Sequence, residues 1–164
     1  MPAAGRPAVG HLRPAVVLFT NHGRLGHNTQ AMATVLVVED DGGSREMLAD
    51  FLSENGHIVV TASSGAEAMV VAATHHPHVV LLDLALPGGI DGWEVARRLR
   101  GTSVLFATTG HVHDAAIRAA REDGCEQVFF KPLDLDAVLD AINAVEAMRS
   151  SAPARGVTPG ERSR

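Results

Sequence analysis

Acidic, hydroxyl and amine side chains follow four separate hydrophobic runs of this sequence. Glu39 and Asp40 follow TVLVV, Asp83 follows VVLL, Thr109 ends LFATT and Lys131 follows QVFF. An ionised carboxylate in an apolar interior costs several kcal/mol unless a partner pairs with it. These side chains must therefore either emerge together into a polar site or act separately as caps on surface loops.

Strand-like runs alternate with helix-like periods between residues 34 and 148. The five strand-like runs are almost continuously apolar, which is typical of a parallel sheet whose two faces are both covered by helices. Five amphipathic stretches with capping signals follow them. We therefore predict an α/β fold with a doubly wound five-stranded parallel sheet. The predicted strands are 34–38, 57–62, 79–84, 103–109 and 127–130, and the predicted helices begin near residues 44, 64, 91, 113 and 134.

The carboxyl ends of parallel strands lie along one edge of a doubly wound sheet, where such folds place their binding sites. Three carboxylates at that edge, from Glu39, Asp40 and Asp83, would repel one another and need a cation. Lys131 supplies one positive charge. A ligand set made only of oxygens favours Mg²⁺ over zinc. For Asp41, a structural role as a helix N-cap stays open.

Charge and composition exclude several classes of protein. The chain has a net charge of −5, and residues 39–148 hold 18 of its 19 acids but only 7 of its 14 Lys and Arg residues. Nucleic-acid binding would require a basic folded face. A single cysteine forms no intrachain disulfide, and the apolar runs are too short to span a bilayer. We expect a cytoplasmic protein with neither a nucleic-acid nor a membrane partner.

The folded domain is expected to occupy residues 32–148. Residues 1–31 are rich in Gly, Pro and Ala without a sustained period, which predicts a disordered leader or a start site assigned too far upstream of Met32. Residues 149–164 are predicted to form a disordered tail. A tail of 16 residues is too short for a DNA-binding or enzymatic output domain.

The segments VLVVEDD, VVLLDLALPGGIDGWEV, LFATTG and VFFKPLDLD, in this order and spacing, resemble the receiver domain of bacterial two-component response regulators. The resemblance extends from about residue 34 to residue 148. It implies the CheY-like, flavodoxin-like sheet with strand order 2-1-3-4-5. It also implies a phosphorelay protein that takes a phosphoryl group from a histidine kinase or a histidine phosphotransfer protein, and the short tail predicts a stand-alone receiver. The phosphoryl group would switch a surface that binds an unknown downstream protein.

The same resemblance implies a role for each residue of the acidic cluster. Asp83 would be the phosphoacceptor. Asp40 would hold Mg²⁺ directly, and Glu39 would act mostly through a metal-bound water. The backbone carbonyl of Ala85 would complete the protein ligands.

The resemblance also assigns the residues that would bind the phosphoryl group. Lys131 would pair with Asp83 before transfer and with a phosphoryl oxygen afterwards, and Thr109 would hydrogen-bond another phosphoryl oxygen. The Lys131–Pro132 peptide bond is expected to be cis, an isomer that X-Pro bonds adopt at about 0.5–1 kcal/mol. Family members often carry an aromatic ring or a histidine three residues before the lysine, and this sequence has Val128 there.

The sequence admits three other readings. An interaction module could keep the fold and work without phosphorylation, an alternative that Val128 favours. An enzyme that binds a nucleotide or flavin phosphate would want a Gly-rich or Ser/Thr-rich loop after the first strand, whereas the acids of EDDGG would repel a phosphate. A metal-dependent phosphatase with an aspartate nucleophile usually needs a further acid where Ala85 stands. The sequence therefore predicts a phosphoacceptor rather than an enzyme with a catalytic domain of its own.

Overall fold

The structure is a computed structural model, and it describes residues 32–111 and 114–151. Five strands alternate with five helices along these residues. In chain order the elements are β1 (Thr34–Val38), α1 (Gly42–Glu54), β2 (Ile58–Ala62), α2 (Gly65–His75), β3 (Val79–Asp83), α3 (Gly92–Leu99), β4 (Val104–Thr109), α4 (Asp114–Glu122), β5 (Cys125–Phe130) and α5 (Leu135–Ser151).

The five strands form one parallel sheet in the order β2-β1-β3-β4-β5. The predicted fold class and strand order are therefore confirmed. Within the sheet, the chain runs from β1 outward to β2 and then crosses back to β3 on the other side of β1. This reversal of direction between β1 and β3 is the topological switch point, where doubly wound sheets hold their ligands.

Alternate residues of each strand point to opposite faces of the sheet, and each face packs against its own set of helices. In β1, for example, Val35 and Val37 belong to the cluster beneath α1 and α5, whereas Leu36 and Val38 belong to the cluster beneath α2, α3 and α4. Burial on both faces explains why the strands read as continuous apolar runs. The fully buried core includes Leu48, Leu52, Val59, Val60, Leu81, Leu82, Leu105 and Ile142.

Side-chain caps set the start of two helices at the edge where the strands end. Asp41 accepts a hydrogen bond from the Ser44 N–H at 2.8 Å, so α1 begins at Gly42, two residues before the predicted start. Asp91 caps α3 in the same way by accepting from the Glu94 N–H at 2.8 Å. The structural role of Asp41, left open from the sequence, is thus that of an N-cap.

Two further element boundaries differ by two or more residues from the sequence prediction. β5 begins at Cys125, two residues earlier than predicted. The apolar pattern missed this start because Glu126 and Gln127 are exposed polar residues of an edge strand and do not extend the apolar run. α5 continues to Ser151, three residues beyond the predicted end near Met148. The predicted tail of 149–164 is therefore wrong for residues 149–151, which are helical. Residues 1–31 and 152–164 lie outside the described residues, so the disordered leader and the rest of the tail stay predictions. Within the described ranges, no helix is long and apolar enough to cross a membrane.

Candidate functional site

Strand register brings the polar side chains to one level at the carboxyl edge of the sheet. Val38, the last residue of β1, pairs with Leu82 of β3, and Asp83 pairs with Thr108 of β4. Glu39 therefore leaves β1 beside Asp83. The separate sequence positions meet because parallel strands all end on the same side of the sheet.

Glu39, Asp40 and Asp83 form a compact group of carboxylates. One oxygen of each lies within 4.8 Å of the others. Glu39 and Asp83 are buried, with 2% and 4% of their surface exposed, and Asp40 is exposed. Oxygen ligands at this spacing fit a hard divalent cation such as Mg²⁺, which takes one or two carboxylates and keeps several waters. The structure thus brings together the three acids that the sequence singled out.

Lys131 bridges the two buried carboxylates. Its Nζ lies 2.7 Å from Glu39 Oε2 and 2.7 Å from Asp83 Oδ2, and its backbone N–H donates to the Thr109 carbonyl at 2.9 Å. The pairing with Asp83 was expected from the sequence, and the pairing with Glu39 was not. Lys131 is also the only lysine in the sequence, since the other 13 basic side chains are arginines.

The environment shifts the pKa values of Glu39 and Lys131. Burial raises the pKa of Glu39 above its ordinary value, and the hydrogen bond from Lys131 only partly opposes this effect. Burial by itself would lower the pKa of Lys131, but its hydrogen bonds to Asp83 and Glu39 outweigh burial and hold that pKa above the ordinary value. The lysine is therefore charged at neutral pH, as an ammonium between two carboxylates requires.

Backbone N–H groups bind the remaining carboxylate oxygens. Asp83 Oδ1 accepts from the Ala85 N–H at 2.8 Å, and Glu39 Oε1 accepts from the Asp41 N–H at 3.3 Å. Both oxygens of each buried acid are therefore hydrogen-bonded, which keeps the desolvated charges satisfied. Ala85 is exposed at this edge, and the metal-ligand role of its carbonyl stays a prediction.

Thr109 is buried at the end of β4, and its Oγ1 accepts a hydrogen bond from the His111 N–H at 3.1 Å. That bond leaves the hydroxyl hydrogen to donate to another group. The Lys131–Pro132 peptide bond is cis, the isomer that the resemblance implies. Val128 is a half-buried aliphatic residue packed against the core cluster beneath α2, α3 and α4, so no aromatic ring occupies this position.

Arg45 is a site residue that the sequence reasoning missed. Its Nη1 donates to the backbone carbonyl of Glu39 at 2.6 Å and to that of Asp40 at 3.2 Å. The available signal was its position in the first turns of α1, four residues after the capping residue Asp41, from which a long side chain can reach back over the loop.

A doubly wound parallel sheet with a cluster of three carboxylates at its switch point, a set of ligands that fits a divalent cation, defines the class of this protein. Residues 35–143 match the family described as the response regulator receiver domain. The chain therefore belongs to the receiver domains of two-component response regulators.

Several proteins from bacteria are similar to this chain. The chain is 37% identical over 112 residues to the transcriptional regulatory protein AfsQ1 of Streptomyces coelicolor, covering 67% of this chain and 49% of that protein. It is 30% identical over 122 residues to the protein PilH of Pseudomonas aeruginosa, covering 71% of this chain and 99% of PilH. A crystal structure of a putative response regulator from Chloroflexus aurantiacus has a TM-score of 0.65 at 29% identity, with 70% of this chain and 98% of that chain covered. The chain thus spans about half the length of AfsQ1 and nearly all of PilH.

Proposed function

We propose that this chain is the phosphoacceptor of a two-component phosphorelay, with Asp83 taking a phosphoryl group from a histidine kinase or a histidine phosphotransfer protein in a Mg²⁺-dependent reaction. One observation carries the proposal. Asp83 is 4% exposed at the switch point, and its carboxylate is bound by the Lys131 ammonium and the Ala85 N–H and lies next to two further acids. Among the relatives, one from Bacillus subtilis is named sporulation initiation phosphotransferase F.

The proposed reaction transfers a phosphoryl group from a nitrogen to an oxygen. A carboxylate oxygen of Asp83 bonds to the phosphorus of a phosphohistidine as the P–N bond breaks, and the electron pair of that bond stays with the imidazole. Glu39, Asp40, Asp83 and the Ala85 carbonyl would hold the metal ion. When bound, Mg²⁺ supplies positive charge that offsets the charges of the phosphoryl group and the carboxylates.

The other residues of the site align and neutralise the transferred group. Lys131 Nζ would pass from Asp83 Oδ2 to a phosphoryl oxygen while it keeps its bond to Glu39. The Thr109 hydroxyl would donate to another phosphoryl oxygen. Glu39 would act mostly through a metal-bound water, as the resemblance implies, while its oxygens keep their bonds from Lys131 Nζ and the Asp41 N–H.

Phosphorylation would act on a protein-binding surface. The added charge at Asp83 would bias the surface formed by α4, β5 and α5 towards or away from a downstream protein. Because Val128 offers no ring to rotate, a movement of Thr109 and of the chain that follows it would carry the change. A cytoplasmic location, and the lack of nucleic-acid and membrane partners, stay predictions from the sequence.

Intact mass spectrometry after incubation with acetyl phosphate tests the proposal. We expect one phosphoryl group to be added with Mg²⁺ and none with EDTA. Asp83→Ala should abolish the addition, whereas Asp136→Ala, at an exposed acid in the first turn of α5, should leave it unchanged. Addition to Asp83→Ala, or no addition to the wild type in any condition, would reject the proposal.

A phosphorylation-independent interaction module is the second candidate, and Val128 is the observation that favours it. That candidate predicts that partner binding is unchanged in Asp83→Ala and unaffected by acetyl phosphate. Measuring partner binding with and without acetyl phosphate separates the two functions.

A further inference from the structure

Arg45 binds the chain that leaves β1 at three consecutive residues. Its Nη1 donates to the Glu39 carbonyl at 2.6 Å and to the Asp40 carbonyl at 3.2 Å. Its backbone N–H donates to the Asp41 carbonyl at 2.9 Å as part of the first turn of α1. One residue thus fixes the backbone of two metal-ligand candidates and of the helix cap that follows them.

The need for this contact follows from the local chain. The hydrogen bonding between β1 and β2 ends where the Glu39 N–H donates to the Ala62 carbonyl at 3.1 Å. Asp40, the next residue, is exposed. Gly42 and Gly43 come next, and glycines lose more conformational freedom on ordering than any other residue. Repulsion among the three carboxylates also favours an open arrangement.

We propose that Arg45 is a positioning residue for the divalent cation, acting through the backbone of Glu39 and Asp40 rather than by touching the ion. Its hydrogen bonds hold the two residues in the conformation that places their carboxylates beside Asp83. The inference rests on the metal site of the proposed function, and it stands apart from phosphoryl transfer itself.

The direction in which Mg²⁺ affinity changes when Arg45 is replaced distinguishes a positioning role from a purely electrostatic one. A guanidinium near a cation site repels the cation, so the removal of a purely electrostatic Arg45 would tighten Mg²⁺ binding. The removal of a positioning Arg45 would weaken it, because the ligands would then have to be ordered on binding. Residues that orient metal ligands typically change metal affinity by about 10- to 100-fold when replaced.

Calorimetric titration of the full chain with MgCl₂ tests the proposal. We expect Arg45→Met to raise the Kd for Mg²⁺ by about 10-fold, and Arg45→Lys, which can still donate to one carbonyl, to fall between it and the wild type. Arg121→Met is the matched control, because Arg121 is exposed in the last turn of α4 at the opposite edge of the sheet. Circular dichroism at the titration temperature ensures that only folded protein is compared.

A second readout comes from phosphorylation by acetyl phosphate. The Mg²⁺ concentration for half-maximal rate should rise by the same factor in Arg45→Met, and the rate at saturating Mg²⁺ should stay within about twofold of the wild type, since bound metal restores the ligand arrangement. A Kd in Arg45→Met equal to or tighter than that of the wild type, or a wild type that binds no Mg²⁺, would overturn the proposal. A wild type that binds Mg²⁺ with this dependence on Arg45 but takes no phosphoryl group would support the positioning role and reject the proposed function.

Discussion

The position of the Lys131 ammonium explains why this residue is a lysine and not an arginine. Its single nitrogen lies 2.7 Å from oxygens of two buried carboxylates, and it is the only lysine among 14 basic residues. A lysine carries a compact charge on one nitrogen, whereas an arginine spreads its charge over a planar fork. The compact ammonium lies between Glu39 and Asp83, a position where the larger planar guanidinium would also have to accommodate its other nitrogens.

We expect Lys131→Arg to lower the rate of phosphorylation by at least about 10-fold although the charge is kept, because the larger planar guanidinium does not fit the position of Nζ between the two buried carboxylates. The rate is measured by intact mass with acetyl phosphate and saturating Mg²⁺. Arg121→Lys, the reverse exchange at an exposed position, should leave the rate unchanged. A wild-type rate in Lys131→Arg would mean that net charge alone is sufficient.

Helix α3 begins directly against the end of β3. A Cβ atom added at Gly92 would overlap the Asp83 carbonyl oxygen and the Leu84 Cα, whereas one added at Gly89 in the same loop would meet nothing within 4 Å. The absence of a side chain at Gly92 therefore lets α3 approach the segment that carries the phosphoacceptor.

Gly92→Ala should lower the free energy of unfolding by about 1–3 kcal/mol, the usual cost of overpacking a close contact. It should also lower the phosphorylation rate, because Asp83 and Leu84 must shift. Gly89→Ala is the matched control and should change neither quantity appreciably. The measurements are urea denaturation and phosphorylation by acetyl phosphate, and equal stabilities of the two variants would contradict the packing argument.

Two histidines bind the backbone at the start of β1, at the amino edge of the sheet. His57 Nδ1 accepts from the Ala33 N–H at 3.4 Å, and His78 Nδ1 accepts from the Thr34 N–H at 3.1 Å. Burial lowers the pKa of both imidazoles below the ordinary value of 6.5. For His57, the contact with Asn143 and the charge of Glu146 oppose the effect of burial without cancelling it.

A lowered pKa in the folded state means that the unfolded chain binds more protons, so the free energy of unfolding should fall as the pH falls below about 6.5. We expect His57→Asn, whose Oδ1 can accept from the Ala33 N–H, to reduce this loss of stability between pH 7 and pH 5. Urea denaturation at several pH values measures it. The exposed His76 has a left-handed backbone that asparagine tolerates, so His76→Asn is the control. Its free energy of unfolding should change with pH by the same slope as that of the wild type. Equal slopes for His57→Asn and the wild type would contradict the role of this imidazole.

The sheet as a whole determines which residues meet. Lys131 follows β5, and Glu39 follows β1, three strands away in the order of the sheet. At about 4.8 Å between neighbouring strands, the two strand ends are separated by roughly 14 Å, more than a lysine side chain spans by itself. The contact therefore needs both side chains: the Lys131 N–H is bonded to the Thr109 carbonyl of β4, and the Lys131 side chain extends along the strand ends until its Nζ lies 2.7 Å from Glu39 Oε2.

The two described hydrophobic clusters are built from residues between Ala33 and Val145. We therefore expect a chain of residues 32–151 to unfold in a single transition, with a melting temperature within a few degrees of that of the full chain and a similar increase on addition of MgCl₂. Thermal denaturation followed by circular dichroism measures both. A much lower melting temperature, or the loss of the Mg²⁺ effect, would show that the terminal segments contribute to the fold.

Much of the fold and of the site was predictable from the sequence. Continuous apolar strands with helical periods between them specify a parallel sheet, and parallel strands bring Glu39, Asp40 and Asp83 to the same edge. The boundary of β5 was less predictable, because Glu126 and Gln127 face solvent and carry no apolar signal. The start of α1 depended on which of several neighbouring polar residues caps it.

The sequence by itself determined the class of fold, the edge that carries the site and the acids gathered there, because these follow from local patterns of hydrophobicity and from the geometry of parallel strands. Only the tertiary structure decided that Lys131 bridges Glu39 as well as Asp83, and that Arg45 holds the carbonyls of Glu39 and Asp40. Such contacts depend on how loops and long side chains lie above the sheet edge. Those positions are set by the packing of the whole domain rather than by any local pattern of residues.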